Sequence, residues 1–189
     1  MKILYKYLIL IIKGYYLVCL KLKLKMIGVS YQKGLRGKRV IIRNEGVITI
    51  GKRVRLNSFP DGELYKTILM AHCKDSEISI GDHCVLNGTI IHCRSKIIIG
   101  NYCMFGPGAK LVDNDSHRIS IDIFERRKAP VSLPIIIHNN VWVGMHSLIL
   151  KGVEIGDNSI IAAYSVVTKD VPANTLVAGN PARIIKYLN

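Results

Sequence analysis

Large aromatic anchors are scarce: the chain holds one tryptophan and three phenylalanines in 189 residues, although 49% of it is hydrophobic. A core of that composition has to come from many small aliphatic layers, and 16 glycines point the same way. The five cysteines, at 19, 73, 84, 93 and 103, form no CxxC pair and leave one over. That excludes a disulfide framework and a zinc site, and it fits a reducing, cytoplasmic compartment. No metal is expected. The chain also lacks the ~18 uninterrupted apolar residues of a spanning helix. Lys6, Lys13 and Gly14 interrupt the apolar opening from Ile3 to Leu20, and no small-residue cleavage site follows it, so it does not read as a signal peptide.

Acids are missing from residues 1–44, which carry eleven cations of a net charge of +14. Such a block contacts something anionic, either nucleic acid or the inner face of a membrane. No nucleic-acid-binding module accompanies it, so no nucleic-acid partner is expected. The apolar Leu8–Ile12 stretch among these cations leaves two readings open. It attaches peripherally to anionic lipid, or it caps the end of the fold.

What the chain does have is a period. Aliphatic residues recur every six positions at Ile137, Val143, Ile149, Ile155, Ile161 and Val167, with small or β-branched residues at Val141, Ser147, Val153, Ser159 and Ser165. Earlier fragments are Ile50-Gly51 with Val54, Ile80-Gly81 with Cys84, Ile99-Gly100 with Cys103, and Phe105-Gly106 with Ala109. A six-residue period fits neither a helix nor an alternating strand, whose side chains repeat at 3.6 and 2.0. A triangular coil of three short strands per turn accounts for it, each turn burying its aliphatics against the next. Glycines would relieve the corners, either for positive φ or for close backbone approach. The two cysteines then sit at the small inward place as buried hydrophobes. We therefore expect a mainly β fold: a basic apolar segment over 1–45, then a β-helix over 46–187. The period breaks over 112–134, a polar, proline-bounded stretch that reads as a loop extruded from the prism, and a weaker break covers Ser58 to Glu77.

These residues resemble the hexapeptide-repeat acyltransferases, in particular the galactoside, maltose and xenobiotic O-acetyltransferase branch. The likeness covers residues ~46–187 and is strongest in Asn139-Asn140-Val141-Trp142-Val143-Gly144, Ile155-Gly156-Asp157-Asn158-Ser159, Val167-Thr168-Lys169-Asp170-Val171-Pro172 and Ala178-Gly179-Asn180-Pro181-Ala182-Arg183. The resemblance implies a left-handed parallel β-helix, a homotrimer, and acetyl-CoA held as acyl donor in the groove between neighbouring prisms. It also implies that His117 on the extruded loop is the general base for an acceptor hydroxyl and that the main-chain amide of Met145 binds the oxyanion. Imidazole suits the first task because its pKa lies near neutrality, and a fixed N–H suits the second. Trp142, Ala163, Thr168, Lys169 and Arg183 match positions that hold the coenzyme, with cations for its phosphates. Asn87 matches an asparagine that touches the acceptor.

Each assignment has a plainer alternative. His117 could be a solvated loop histidine, with His146 its closest rival for a role in the groove. Asn87 could be a corner amide and Trp142 a packing residue. Asp113 and Asp115 could orient His117 or meet sugar hydroxyls, or they could form the turn or be solvated. Arg94-Ser95 stands where the family has an acidic acceptor ligand. The chain is thus expected to O-acetylate a sugar hydroxyl, in a surface polysaccharide or its precursor. An antibiotic acetyltransferase is the neighbouring alternative, and a non-catalytic scaffold the alternative of another class.

Overall fold

The computed structural model describes residues 2–58 and 65–189. It opens with helix α1 (Lys2–Met26), and the chain then winds through six coils of three strands. The first coil is β1 (Ser30–Tyr31), β2 (Arg36–Lys38) and β3 (Ile41–Asn44). The second is β4 (Val47–Ile50), β5 (Arg55–Asn57) and β6 (Ile68–Ala71), and the third β7 (Glu77–Ile80), β8 (Val85–Asn87) and β9 (Ile90–Cys93). The fourth, β10 (Lys96–Ile99), β11 (Met104–Phe105) and β12 (Lys110–Val112), is followed by the extruded loop with its short helix α2 (Ile123–Arg126). Next come β13 (Ile135–Ile137), β14 (Trp142–Val143) and β15 (Leu148–Leu150), then β16 (Glu154–Ile155), β17 (Ile160–Ile161) and β18 (Val166–Val167). A hairpin of β19 (Thr175–Gly179) and β20 (Ala182–Tyr187) ends the chain.

Successive strands fall in strict rotation on three sheets. Every pairing between coils is parallel and in register, for example Ile80 with Ile99 and Ile99 with Ile137. The six-residue period is therefore the length of one strand plus one corner. The aliphatics that carry it, from Ile137 to Val167, are all buried, as are Val141, Ser147, Val153, Ser159 and Ser165 at the small inward place. Burying one such isoleucine contributes about 1.5–3 kcal/mol. Phe105 is the largest side chain in this core.

Close approach, and not left-handed backbone, is what the corner glycines at 51, 81, 100 and 156 provide. A Cβ on Gly100 would lie 2.7 Å from the His138 carbonyl of the next coil. Positive φ falls instead on Arg53, His83, Tyr102, Asn140, Asn158 and Asn174, further along the same corner. A side-chain ladder ties these corners together. The amides of Lys52, Asp82, Asn101 and Asn139 donate to Asp82, Asn101, Asn139 and Asp157 of the coil above, at 2.7–2.8 Å. The Asn139 amide bonds hold the Asp157 carboxyl below the usual carboxylate range.

The prism starts one coil before the expected boundary at residue 46, because β1–β3 pair with β4–β6. The reason lies at Gly37, which occupies the inward register opposite Leu56 and brings no side chain. Leu20 of α1 fills the place: a Cβ on Gly37 would meet its Cδ2 at 2.7 Å. Leu20 and Leu24 are buried in the common core. The end of α1 thus closes the prism, as a terminal element should in a stacked repeat. The helix runs to Met26, so the alternating Leu20–Lys25 segment is helical. The apolar Leu8–Ile12 stretch lies largely outside the residues whose side chains are described, with Ile12 exposed. The break expected over Ser58 to Glu77 is interrupted by β6, and part of it, residues 59–64, lies outside the described residues.

Candidate active site

The residues singled out above fall on two different edges of the prism and on its far end. One edge joins the second sheet to the third and carries Asn87, Met145 and Ala163, with Trp142 half-exposed on the adjoining face between Met104 and Ile160. The other edge joins the third sheet back to the first and carries Asp113, Asp115, His117, Thr168 and Lys169. The third sheet separates them. From Ser147 to Lys151 that face spans four residue steps, or roughly 13 Å at strand rise.

The first edge differs from the laddered corner in one respect. Among the described residues, the main-chain N–H groups of Met145 and Ala163 donate to nothing, although their neighbours His146 and Tyr164 bond to Pro107 and Met145 carbonyls. Gly106 and Gly144 keep them open, since a Cβ on Gly106 would lie 2.7 Å from the Met145 nitrogen and one on Gly144 2.6 Å from the Ala163 nitrogen. Two stacked, unpaired donors on rigid backbone are a ready site for a carbonyl or developing oxyanion. Asn87 is half-buried on the same edge, two coils before Met145, its Oδ1 accepting from Asn57 Nδ2 at 2.9 Å.

Sequence reasoning did not find the aromatic clasp on this edge. His146 Nε2 lies 3.0 Å from the Tyr65 hydroxyl, and its ring packs on both Tyr65 and Tyr164. His146, Tyr65, Lys66, Ile90 and Lys110 border a cleft of about 330 Å³. Tyr65 belongs to a segment without the period and is 81 residues from His146, so nothing in the sequence links them.

On the second edge the loop is pinned at its neck. Asn114 bridges Ser132, the amides of Asp115 and Leu133 donate across to Val131 and Asp113, and Asp115 pairs with Lys151 Nζ at 2.5 Å. Asp113 is fully buried and turned into the prism. Its carboxylate accepts from the amides of Arg94 at 2.8 Å and Ser95 at 2.7 Å, and from Asn114 Nδ2. Asp113 is thus a brace on the Arg94–Ser95 corner of the preceding coil and is not exposed to an acceptor. Two residues past the neck, His117 is exposed, its amide held by the Asp115 carbonyl at 2.7 Å. Its imidazole has no bonding partner among the described residues.

Burial first, and then the adjacent Asp113 charge, holds the Cys93 thiol well above its ordinary range. Cys84, a free thiol hydrogen-bonded to Cys103 and buried, is held high as well. Neither is a poised nucleophile. His92 is pushed below the ordinary imidazole value by burial and then by His72, and its Nε2 is buried without a partner. At the far end, Lys169 and Arg183 border one cleft of about 260 Å³ formed where β20 folds over the last coil. The expected pair of cations is therefore brought together.

The model of bacterial transferase hexapeptide (six repeats) matches residues 134–169. A solved hexapeptide-repeat containing acetyltransferase from Vibrio cholerae is 30% identical, covering 82% of this chain and 74% of that one, with a TM-score of 0.54. The chain belongs to the hexapeptide-repeat acetyltransferases. The Vibrio cholerae member complexed with acetyl-CoA is 39% identical over 59% of this chain and 60% of that one, at the same TM-score. The galactoside O-acetyltransferase of Lactococcus lactis is 35% identical over 61% of this chain. A polySia-specific acetyltransferase of known structure is 29% identical over 84% of this chain and 70% of that one, with a TM-score of 0.56. This hexapeptide-repeat acetyltransferase spans about half the length of the curated relatives it matches, 55% in the Lactococcus lactis protein.

Proposed function

We propose that the chain is an acetyl-CoA-dependent O-acetyltransferase acting on a sugar hydroxyl of a surface polysaccharide or its precursor, with His117 as general base. The observation that carries the reading is the pair of open amides at Met145 and Ala163, on an edge of a scaffold whose relatives include an acetyl-CoA complex. The galactoside and polySia relatives support a sugar acceptor.

The chemistry required of the chain is modest. His117 takes the proton from the acceptor hydroxyl, which is too weak a nucleophile at neutral pH without a base. The Met145 amide donates to the thioester carbonyl oxygen as it gains charge, and Ala163 holds the donor's arm. Lys169 and Arg183 take its phosphates, with Thr168 beside them and Trp142 on the wall. Asp115, paired to Lys151, steadies the stalk under His117, and Asn87 meets the acceptor. Base and oxyanion donor sit on opposite edges of one prism, so a second copy must bring them together. That supports a homotrimer whose grooves hold the donor, and membership of the family supports left-handed coils.

The expected test is kinetic. Lys169→Ala or Arg183→Ala should raise KM for acetyl-CoA by about 10-fold, the loss of one charge-assisted phosphate contact. KM for the acceptor should stay near wild type, and equal effects on both substrates would assign these cations a structural role.

We place the protein in the cytoplasm, against the inner membrane face. Among the described residues no helix is long and apolar enough to cross a membrane. On α1, however, Tyr15, Val18, Leu22 and Met26 form an exposed apolar stripe beside exposed Lys21 and Lys25, while Leu20 and Leu24 pack inward. One face caps the prism and the other is free for lipid. Intact protein should sediment with anionic vesicles at low salt and be released at high salt. Indifference to vesicles leaves α1 as a cap only.

A further inference from the structure

The second sheet carries a cationic cleft at its α1 end, three coils away from Trp142. It measures about 360 Å³ and is lined by Gly34, Arg36, Arg53, Arg55 and His83, with no carboxylate among the described residues of its wall. Arg36 and Arg55 are direct register partners on adjacent parallel strands, which lie about 4.8 Å apart. Like charges placed opposite one another destabilise a sheet. Among the described residues none of Arg36, Arg53 and Arg55 has an acidic partner to offset this.

The cleft is shaped as well as charged. Gly34, at φ +87°, leaves the space that the Arg53 side chain crosses: a Cβ there would be 3.0 Å from Arg53 Cγ. Arg53 and His83 are both held in left-handed corner geometry, and His83 stacks on Tyr102 at 4.9 Å with ring planes 10° apart. The imidazole is thus fixed by its neighbour, and among the described residues the guanidinium groups are left without counter-charge.

We propose that this cleft is a second anion site, which binds the phosphate or diphosphate group of a ligand. Guanidinium forks match phosphate oxygens bidentately, and a dianion relieves the Arg36–Arg55 repulsion that the free protein carries. The cavity lies within the range of small-ligand sites. It stands at the opposite end of the prism from Lys169 and Arg183, so it does not serve the phosphates assigned to that cleft. The inference does not depend on acyl transfer.

The phosphate could be free or carried on a lipid, and the experiment separates the two. The full-length protein is titrated calorimetrically with inorganic pyrophosphate, and separately sedimented at high salt with phosphatidylcholine vesicles carrying either phosphatidate or, at matched charge, phosphatidylserine. The phosphatidylserine arm reads the general attraction of α1 to anionic lipid. The Arg36→Gln/Arg55→Gln variant is measured in parallel. Wild type should bind at least one of the two phosphate probes, and the variant should bind it about 10-fold more weakly or worse. Because both side chains are exposed and repel, the variant should melt at or above the wild-type temperature without ligand, which separates lost binding from lost folding. Pyrophosphate binding identifies a soluble source; binding to phosphatidate vesicles alone identifies a lipid headgroup. The proposal is overturned if neither probe binds, if the double variant binds as wild type does, or if Lys169→Gln abolishes binding while the double variant retains it.

Discussion

His117→Ala should lower the rate of acetyl transfer by about 10²–10⁴-fold, the usual contribution of a positioned general base. Affinity for the coenzyme should be nearly unchanged, because His117 does not line the Lys169–Arg183 cleft. The loop itself should survive the substitution. Its neck is held by Asp113, Asn114, Asp115 and Lys151, and the His117 side chain has no part in those bonds. A single-turnover rate with and without the imidazole, set beside a coenzyme titration, reads both quantities. Wild-type turnover in the variant would transfer the role to another group, with His146 the first to examine.

Asp113→Ala should destabilise the fold by roughly 3–5 kcal/mol, the cost of removing one member of a buried charged network. Its carboxylate satisfies the amides of Arg94 and Ser95 and orders Asn114, all at the root of the loop. With it gone, two main-chain donors lose their acceptor and the stalk under His117 loses its brace. Chemical denaturation should show a lower midpoint with an unchanged slope, and the remaining folded enzyme should show a reduced kcat with little change in acceptor KM. Were Asp113 an acceptor ligand, the reverse would hold: stability near wild type and a raised acceptor KM.

Most of the architecture was legible because the inward positions from Ile137 to Val167 are never interrupted, so the length of a strand plus corner is written directly in the spacing. The first coil was not, and Gly37 explains why. Its inward place is filled by Leu20 from α1, seventeen residues earlier, so no pattern within the coil could reveal it. The cations Arg36, Lys38 and Arg39 further grouped that stretch with the basic N-terminal segment. The extruded loop was visible as a loss of period, but the direction in which each of its acids points was not. Asp113 and Asp115 are two residues apart, yet one is buried against the preceding coil and the other meets Lys151. That difference arises from contacts with residues 19 and 36 positions away, which local sequence does not carry. The open amides of Met145 and Ala163 were reachable only through resemblance, since an unpaired N–H leaves no mark on side-chain chemistry.

Acetyl transfer itself is the most direct measurement. Purified full-length protein is incubated with acetyl-CoA and a panel of oligosaccharides and lipid-linked glycan precursors. Free coenzyme thiol and acceptor mass are then followed together. Thiol release that depends on acceptor, matched by one added acetyl group on a sugar hydroxyl and lost in His117→Ala, is the expected result. Absence of coenzyme binding and of turnover with every acceptor would contradict the account and leave the prism as a scaffold without chemistry.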